Sequence, residues 1–144
     1  MVSNVSKKIT LVDGDKRAVC TVCNRLLSEV RENNYDSEAI FSIHLALEEA
    51  ILNAIEHGNK FDPSKKVDIY YQITGDKCDI TITDEGSGFD PASLPDPRAK
   101  ENLYKPSGRG VLLIKSYMDF VEFNKSGNSV HMIKYNNRIQ PSRF

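Results

Sequence analysis

The chain has 144 residues, 40% of them hydrophobic and 27% charged, which is typical of one soluble globular domain with a single core. Its formal net charge of −1 gives no field that would attract nucleic acid or an anionic membrane, so we expect neither as a partner. No apolar run approaches the ~20 residues that cross a bilayer, and the first residues lack the apolar segment of a signal peptide. These features predict a cytoplasmic protein.

The hydrophobic pattern predicts a strand and two helices in the first part of the chain. Alternating residues at 8–13 indicate a short strand, and 15–31 carries the apolar stripe of an amphipathic helix. A second helix is predicted over 37–57, after a polar turn in which Asp36 or Ser37 can act as the N-cap.

The first helix contains Cys20 and Cys23, a C-x-x-C pair of the kind found in metal and redox sites. No second cysteine pair or histidine cluster follows at the spacing of a zinc site. An odd total of three cysteines does not indicate a disulfide framework. Because the pair lies on a helix with an apolar stripe, we expect both cysteines to be small buried residues.

Two hairpins and a third helix are predicted in the rest of the chain. Residues 66–83 alternate on both sides of a Thr-Gly-Asp-Lys turn, which indicates an antiparallel hairpin. A glycine-rich loop at 84–91 leads into a long loop at 92–107, and loops of that length are uncommon unless they are functional. A helix restarts at Gly108, and 119–135 is predicted to be a final hairpin.

This order of elements predicts an α+β fold. We expect a two-layer α/β sandwich, with a mixed, mostly antiparallel sheet covered on one face by helices. The chain shows neither an internal repeat nor a linker. Residues 1–144 are therefore expected to form a single domain, with a core over about 8–135 and a loose tail at 136–144.

The second helix carries two polar residues on one face. Glu49 and Asn53 are four residues apart, so a carboxylate and an amide oxygen lie side by side. Hard oxygen donors of this kind suit Mg²⁺ or a polarised water. The alternative is a solvated stripe on an amphipathic helix. Gly58 is predicted to end the helix as its left-handed C-terminal residue.

A second candidate stretch, Asp84–Gly88, follows directly on a predicted strand. Gly86 and Gly88 allow a close approach of the backbone to a ligand, and Asp84 can accept a hydrogen bond from an exocyclic amine such as that of adenine. The alternative is an ordinary glycine-rich turn.

A third candidate stretch, Gly108-Arg109-Gly110, opens a helix. Free N–H groups at a helix N-terminus favour phosphates, and the alternative is a simple helix start. The chain contains neither a P-loop motif nor the glycine-rich loop and lysine of protein kinases.

Taken in order, these stretches resemble the GHKL ATPase superfamily and, within it, the anti-sigma-factor serine kinases of the RsbW and SpoIIAB type. The segment LALEEAILNAIEHGN resembles the N box, and ITDEGSGFDP resembles the first glycine box. SGRGVLLIKSYMDFVEF resembles the second glycine box, and GNSVHMIKY the closing strand. The resemblance covers about 8–135 and implies the Bergerat, histidine-kinase-like ATPase fold.

The resemblance implies a role for each matching residue. Glu49 matches the general base and Asn53 the ligand of Mg²⁺, while Asp84 matches the aspartate that recognises the adenine amine. Gly86 and Gly88 match the glycines that pack around the base.

The phosphate end of the implied site lies at the second glycine box. Gly108 and Gly110 match the hinge at the phosphates, and 91–107 would be the ATP lid. Pro106 stands where the family often has a lid arginine, so Lys105 and Arg109 are the nearest cations for the γ-phosphate.

Three further residues are assigned to ATP binding with them: His57, Val111 and Ser129. Ser129 stands where the closing strand often carries threonine. For His57, an interaction with the C-terminal helix dipole is the alternative. Glu48 could be the base on charge alone, but the four-residue spacing to Asn53 favours Glu49.

The resemblance implies an ATP-dependent serine/threonine-protein kinase and anti-sigma factor, with ATP and Mg²⁺ as cofactors. Its partners would be a STAS-type anti-anti-sigma substrate, a sigma factor and a second copy of the chain. One alternative is a non-catalytic ATP-binding regulatory module, although an intact Glu49 argues against it. The other is a histidine-kinase-type catalytic domain, although no predicted helix with an exposed histidine precedes the fold.

Overall fold

The fold is an α+β sandwich, seen in a computed structural model that describes residues 6–12, 15–86 and 106–137, with the side chains of 106–109 left out of the description. Its elements in chain order are β1 (Lys7–Val12), α1 (Lys16–Glu32), α2 (Ser37–Asn53), β2 (Lys66–Ile73), β3 (Lys77–Asp84), α3 (Pro106–Tyr117), β4 (Phe120–Phe123) and β5 (Ser129–Tyr135). One π-helical turn, Ala54–Gly58, continues α2.

The five strands form one sheet in the order β1-β2-β3-β5-β4. Every pairing among these described strands is antiparallel, so the sheet is more uniform than the mixed sheet that the sequence predicts. The α+β class and the two predicted hairpins are confirmed. Because β5 pairs with β3, the end of β3 at Asp84 lies beside the turn that precedes β5.

One face of the sheet is buried under the helices, which confirms the two layers. The strands alternate buried and partly exposed residues, as a half-buried sheet requires. Apolar residues from both the helices and the sheet form the core between the two layers. The core includes Leu26, Leu27, Val30, Ile43, Leu47, Ile51, Val67, Ile69, Ile80, Ile82, Val130 and Met132. Helices α1 and α2 pack against each other, and α3 packs on α2.

The two long helices begin at aspartate caps. The side chains of Asp15 and Asp36 accept hydrogen bonds from the backbone N–H groups of Ala18 and Ala39, each at 2.8 Å. These bonds satisfy N–H groups that have no partner inside the helix. Of the two predicted caps for α2, Asp36 is the one used.

The end of α2 differs from the prediction. Gly58 lies inside the π-helical turn and does not take a left-handed conformation; Lys60 and Phe61 do so instead, with φ of 53° and 60°. The turn is widened because Asn59 donates its N–H to the carbonyl of Ala54, five residues back, at 2.8 Å. Glycine is required at position 58 not by its backbone conformation but by its close packing against Asp84.

The two cysteines of the C-x-x-C pair have different surroundings. Cys23 is buried, and its burial raises the pKa of the thiol to about 12, so it stays protonated. The prediction was wrong for Cys20, which is exposed on α1. Cys20 lies three residues before Cys23 on α1, at the edge of the apolar stripe. Its sulfur accepts a hydrogen bond from Asn24 at 3.7 Å.

Several predicted features fall outside the described residues. These are the loop at 87–105, which contains most of the predicted lid, and the residues after 137. Asn136 opens the predicted tail, yet it is only 1% exposed and donates to the carbonyls of Asn33 and Gly75. Among the helices that the structure describes, none has the length and apolarity to span a membrane.

Replacing Leu47 with alanine should lower the free energy of unfolding by about 3 kcal/mol, because a fully buried leucine leaves a cavity. The matched control is Leu112→Ala on α3, where the leucine is 39% exposed and the expected change is within about 0.5 kcal/mol. Urea unfolding of both variants measures the two values. Equal losses would contradict the packing described for α2.

Candidate functional site

Glu49 and Asn53 meet α3 at Gly110. A Cβ at Gly110 would lie 2.9 Å from Nδ2 and 3.0 Å from Oδ1 of Asn53, and 3.1 Å from Oε2 of Glu49. Both polar side chains therefore point to one place on α3, which has room for them because residue 110 has no side chain. The spacing of four along α2 produces this shared face.

The neighbouring acid, Glu48, lies elsewhere. Its carboxylate is exposed and lies 3.4 Å from Nε2 of His44, one helical turn earlier. The side chain of Glu49 is only partly exposed and faces Gly110. The two acids thus point in different directions, and only Glu49 faces α3. The choice of Glu49 over Glu48 as the base stays a prediction.

Helix α3 begins at Pro106, two residues before the predicted start. Proline is well suited to the first turn of a helix, where its missing N–H would have no partner. Gly108 and Gly110 consequently lie within the first turns of α3, and Val111 is buried behind them. Lys105 and the side chain of Arg109 lie outside the description, so their contact with a phosphate stays a prediction.

Asp84 ends β3 with its carboxyl group turned toward α2. The residue is 8% exposed, and Oδ1 accepts the N–H of Gly86 at 2.8 Å. Gly58 and Gly86 pack so closely here that a Cβ on Gly58 would overlap the Asp84 carboxyl, and one on Gly86 would overlap the Gly58 carbonyl. Gly88 lies outside the described residues.

The residue opposite Asp84 on the β5 side is Asn128. Asp84 donates its N–H to the Asn128 carbonyl at 2.9 Å, and Asn128 Nδ2 lies 3.3 Å from the Asp84 carbonyl. Ser129 pairs with Thr83, and their hydroxyl oxygens are 2.8 Å apart. Because neighbouring residues of a strand point to opposite faces, the Ser129 hydroxyl lies on the other side of the sheet from the Asp84 carboxyl.

Four of these residues, Asn53, Asp84, Asn128 and Ser129, line one pocket between α2 and the β3–β5 pair. Its walls include Ala50, Asn53, Ala54, Ile82, Asp84, Phe123, Gly127, Asn128, Ser129 and Val130. Five of these ten residues are apolar, and the amides of Asn53 and Asn128 and the carboxyl group of Asp84 add polar groups, as in many small-molecule sites. His57 is not part of this lining; its Nε2 lies 3.8 Å from Glu56 at the surface.

Burial raises the pKa of both carboxyl groups of the site. Loss of solvent raises the pKa of Glu49, with smaller contributions from the charges of Glu48 and Glu56. Burial likewise raises the pKa of Asp84, and the hydrogen bond from Gly86 opposes the rise. A carboxyl group with a raised pKa is a better proton acceptor than an ordinary surface acid.

The residues described here do not enclose a metal with protein ligands alone. No group of three or more histidine, cysteine, aspartate or glutamate side chains within 6–12, 15–86 and 110–137 could hold an ion. Mg²⁺ at a nucleotide typically takes one or two protein ligands and completes its shell with phosphates and water. One amide oxygen from Asn53 fits that pattern, and it leaves the ion dependent on the nucleotide.

Three residues of this region were missed as site residues from the sequence: Gly58, Asn59 and Asn128. Gly58 was interpreted only as a helix stop, although its direct position after His57 in the quoted motif offered a signal. Asn59 ends the same segment and offered the same signal. Asn128 gave none, since a buried asparagine that bonds to backbone cannot be distinguished in sequence from one in a surface turn.

The chain belongs to the family of histidine kinase-like ATPase domains. The sequence model of that family matches residues 12–134, which include every described part of the pocket. Bacterial relatives are similar over most of their length. The chain is 30% identical to the "Serine-protein kinase RsbW" of Listeria monocytogenes over 113 residues, covering 74% of this chain and 72% of that protein.

Two other relatives carry related names. The "Anti-sigma F factor" of Oceanobacillus iheyensis is 36% identical over 103 residues, which cover 67% of this chain and 70% of that protein. The "Serine-protein kinase RsbW" of Staphylococcus aureus is 32% identical over 99 residues, which cover 63% of this chain and 62% of that protein.

The Gly58→Ala variant should lose about 1–3 kcal/mol of stability, because the added methyl group must displace the Asp84 carboxyl. In an unobstructed helix the same change would stabilise the protein by up to about 1 kcal/mol. The sign of the change in the free energy of unfolding therefore shows whether the Asp84 carboxyl obstructs the added methyl group. Urea unfolding measures it. The loss should shrink in an Asp84→Ala background, which removes the obstructing group; equal losses in both backgrounds would contradict the contact.

The Asp84→Asn variant should gain stability relative to wild type as the pH rises. The unfolded aspartate ionises near pH ~3.9, whereas the folded one keeps its proton to a higher pH. Between the pKa of the unfolded aspartate and that of the folded one, the folded state binds more protons, so wild-type stability falls as the pH increases. Urea unfolding from pH 4 to 7 tests this expectation, and a difference that stays constant or shrinks would contradict it.

Proposed function

We propose that this protein is an ATP-dependent serine/threonine kinase that acts on a protein partner. One observation carries the proposal. A carboxylate and an amide from α2 converge on a glycine at the start of α3, beside a pocket that ends at a buried aspartate. The names of the relatives agree with this activity, since two of them are called serine-protein kinases.

The pocket at Asp84 and the start of α3 beside Asn53 suit the two ends of ATP. At one end, the Asp84 carboxylate has an oxygen available to accept a hydrogen bond from the adenine amine, while Oδ1 is held by Gly86. At the other end, the first turn of α3 supplies backbone N–H groups and the positive end of a helix dipole for the phosphates. A Cβ on Gly86 would overlap the Gly58 carbonyl, and one on Gly110 would crowd Asn53 and Glu49, so both glycines are needed for the close packing beside these places.

Asn53 is the residue proposed to hold Mg²⁺ together with the phosphates. When bound, the ion would neutralise charge on the phosphate oxygens. The amide is oriented for this role by its place on α2, next to Gly110. Val111, Gly108, Lys105, Arg109 and His57 remain proposed nucleotide contacts, and 91–107 the proposed lid. Ser129 is proposed as a contact through its backbone, because its hydroxyl pairs with Thr83 on the other side of the sheet.

Glu49 is proposed as the general base. A serine or threonine hydroxyl of the substrate would attack the γ-phosphorus, the bond to the β-phosphate oxygen would break, and ADP would leave. The hydroxyl proton would pass to the Glu49 carboxylate. Its raised pKa makes it a stronger acceptor for this proton than an exposed glutamate.

We further propose that the substrate is a STAS-type anti-anti-sigma protein and that the chain binds a sigma factor, as a homodimer built from single 1–144 domains. The support is the name "Anti-sigma F factor" of one relative and the motif order in the sequence. A non-catalytic ATP-binding module and a histidine-kinase-type domain are distinguished by the product, since the first forms no phosphoprotein and the second forms an acid-labile one.

The Glu49→Gln variant should lose at least about a hundredfold in phosphotransfer, because general-base catalysis contributes about 10²–10⁴, and should bind ATP nearly as wild type does. The matched control is Glu48→Gln, which removes the exposed neighbouring acid and should keep its activity. Both are assayed with ATP, Mg²⁺ and a candidate STAS-domain protein, by acid-stable phosphoserine or phosphothreonine. If both variants transfer phosphate as wild type does, Glu49 is not the base.

A further inference from the structure

We propose that Asn59 is a positioning residue that fixes Asp84 in the orientation needed to read the adenine amine, an inference that rests on the proposed function. Asn59 is 3% exposed. Its Oδ1 accepts the N–H of Glu85 at 2.8 Å, and its Nδ2 donates to the carbonyl of Lys66 at 2.9 Å. One amide thus joins the start of β2 to the residue that follows Asp84.

The backbone of Asp84 is held by hydrogen bonds on both sides. Towards β5, Asp84 bonds to the backbone and side chain of Asn128. Beyond Asp84 the strand ends, and the next N–H, on Glu85, is bonded to Asn59 instead of a strand neighbour. The carboxylate of Glu85 forms a second bond between the same segments, because it accepts the N–H of Lys66.

These bonds restrict the carboxyl group because they restrict the backbone next to it. The peptide between Asp84 and Glu85 is planar, so a bond to the Glu85 N–H limits rotation about ψ of Asp84. The Gly86 N–H then lies 2.8 Å from Oδ1 of Asp84, and the second carboxyl oxygen is left for a ligand. Without Asn59 the Glu85 N–H would lose its partner, and on the β2 side the turn would keep only the bond between the Glu85 carboxylate and Lys66.

The π-helical turn brings Asn59 to this place. An α-helix advances by about 100° per residue, so one extra residue in a turn redirects everything after it. The widened turn lets Gly58 lie against the Asp84 carboxyl and leaves Asn59 buried between β2 and Glu85. Asn59 thereby links the adenine end of the pocket to the helix that carries Glu49 and Asn53.

The test compares ATP with inosine triphosphate, which has the same phosphates but a carbonyl in place of the exocyclic amine. Wild type should bind ATP more tightly than inosine triphosphate. Asn59→Ala should weaken ATP binding about tenfold and change inosine triphosphate binding less than about twofold, because only the amine contact depends on Asp84. Binding is measured by calorimetry at fixed Mg²⁺.

The matched control is Asn136→Ala, which removes another buried asparagine that donates to backbone carbonyls, at the opposite end of the sheet. It should lose stability and keep the wild-type ratio of the two affinities. Asn59→Asp, which still accepts the Glu85 N–H, should retain most of the ratio, since an added charge affects both triphosphates alike. A wild-type ratio in Asn59→Ala overturns the inference.

Hydrogen exchange on the wild-type chain gives a second test that needs no folded variant. ATP should slow exchange of the Glu85 amide more than inosine triphosphate does, because an occupied Asp84 tightens the turn, and coupling of this kind is reciprocal. Equal protection by both nucleotides overturns the role of Asn59. A wild-type chain that binds neither nucleotide overturns the proposed function itself, and the inference with it.

Discussion

Gly58, at the end of the long helix, lies against the carboxyl group of Asp84, at the end of β3, with no space for a Cβ between them. This contact sets how far α2 can slide along the sheet. It therefore also sets where Glu49 and Asn53 stand relative to the pocket, because a helix moves as a rigid unit. A second glycine contact, at Gly110, fixes α3 against the same helix.

The closeness of these contacts has an energetic cost. Asp84 is removed from water, and an isolated buried carboxylate is strongly unfavourable. Hydrogen bonds offset part of that cost: Gly86 donates to the carboxyl oxygen, while Asn59 and Asn128 bind the adjoining backbone. A network whose members all have partners is rigid in a low-dielectric site. The raised pKa values of Glu49 and Asp84 follow from the same burial.

The long helix serves packing and chemistry on different faces. Its buried residues, among them Ile43, Leu47 and Ile51, hold it on the sheet and make it a stable support. Its polar residues Glu49 and Asn53 meet α3. A site built on a packed helix is held more exactly than one built on loops.

The local patterns of the sequence were sufficient for the fold. Alternation in β2 and β3, the cap at Asp36 and the turn between the hairpin strands each act over a few residues, so they can be read along the chain. The same holds for Glu49 and Asn53, whose shared face follows from helix geometry alone. The burial of Cys20 was predicted wrongly, because a position at the edge of a stripe depends on what packs beside it.

What only the tertiary structure decided are the relations between distant segments. Strand register made Asn128, and not Ser129, the neighbour of Asp84. The π-helical turn made Gly58 a contact residue and gave Asn59 its two backbone partners. The sequence by itself determined which elements form and which polar residues share a helix face, since those depend on local geometry. The contacts across the pocket depend on close packing between elements, and sequence periodicity does not contain that information.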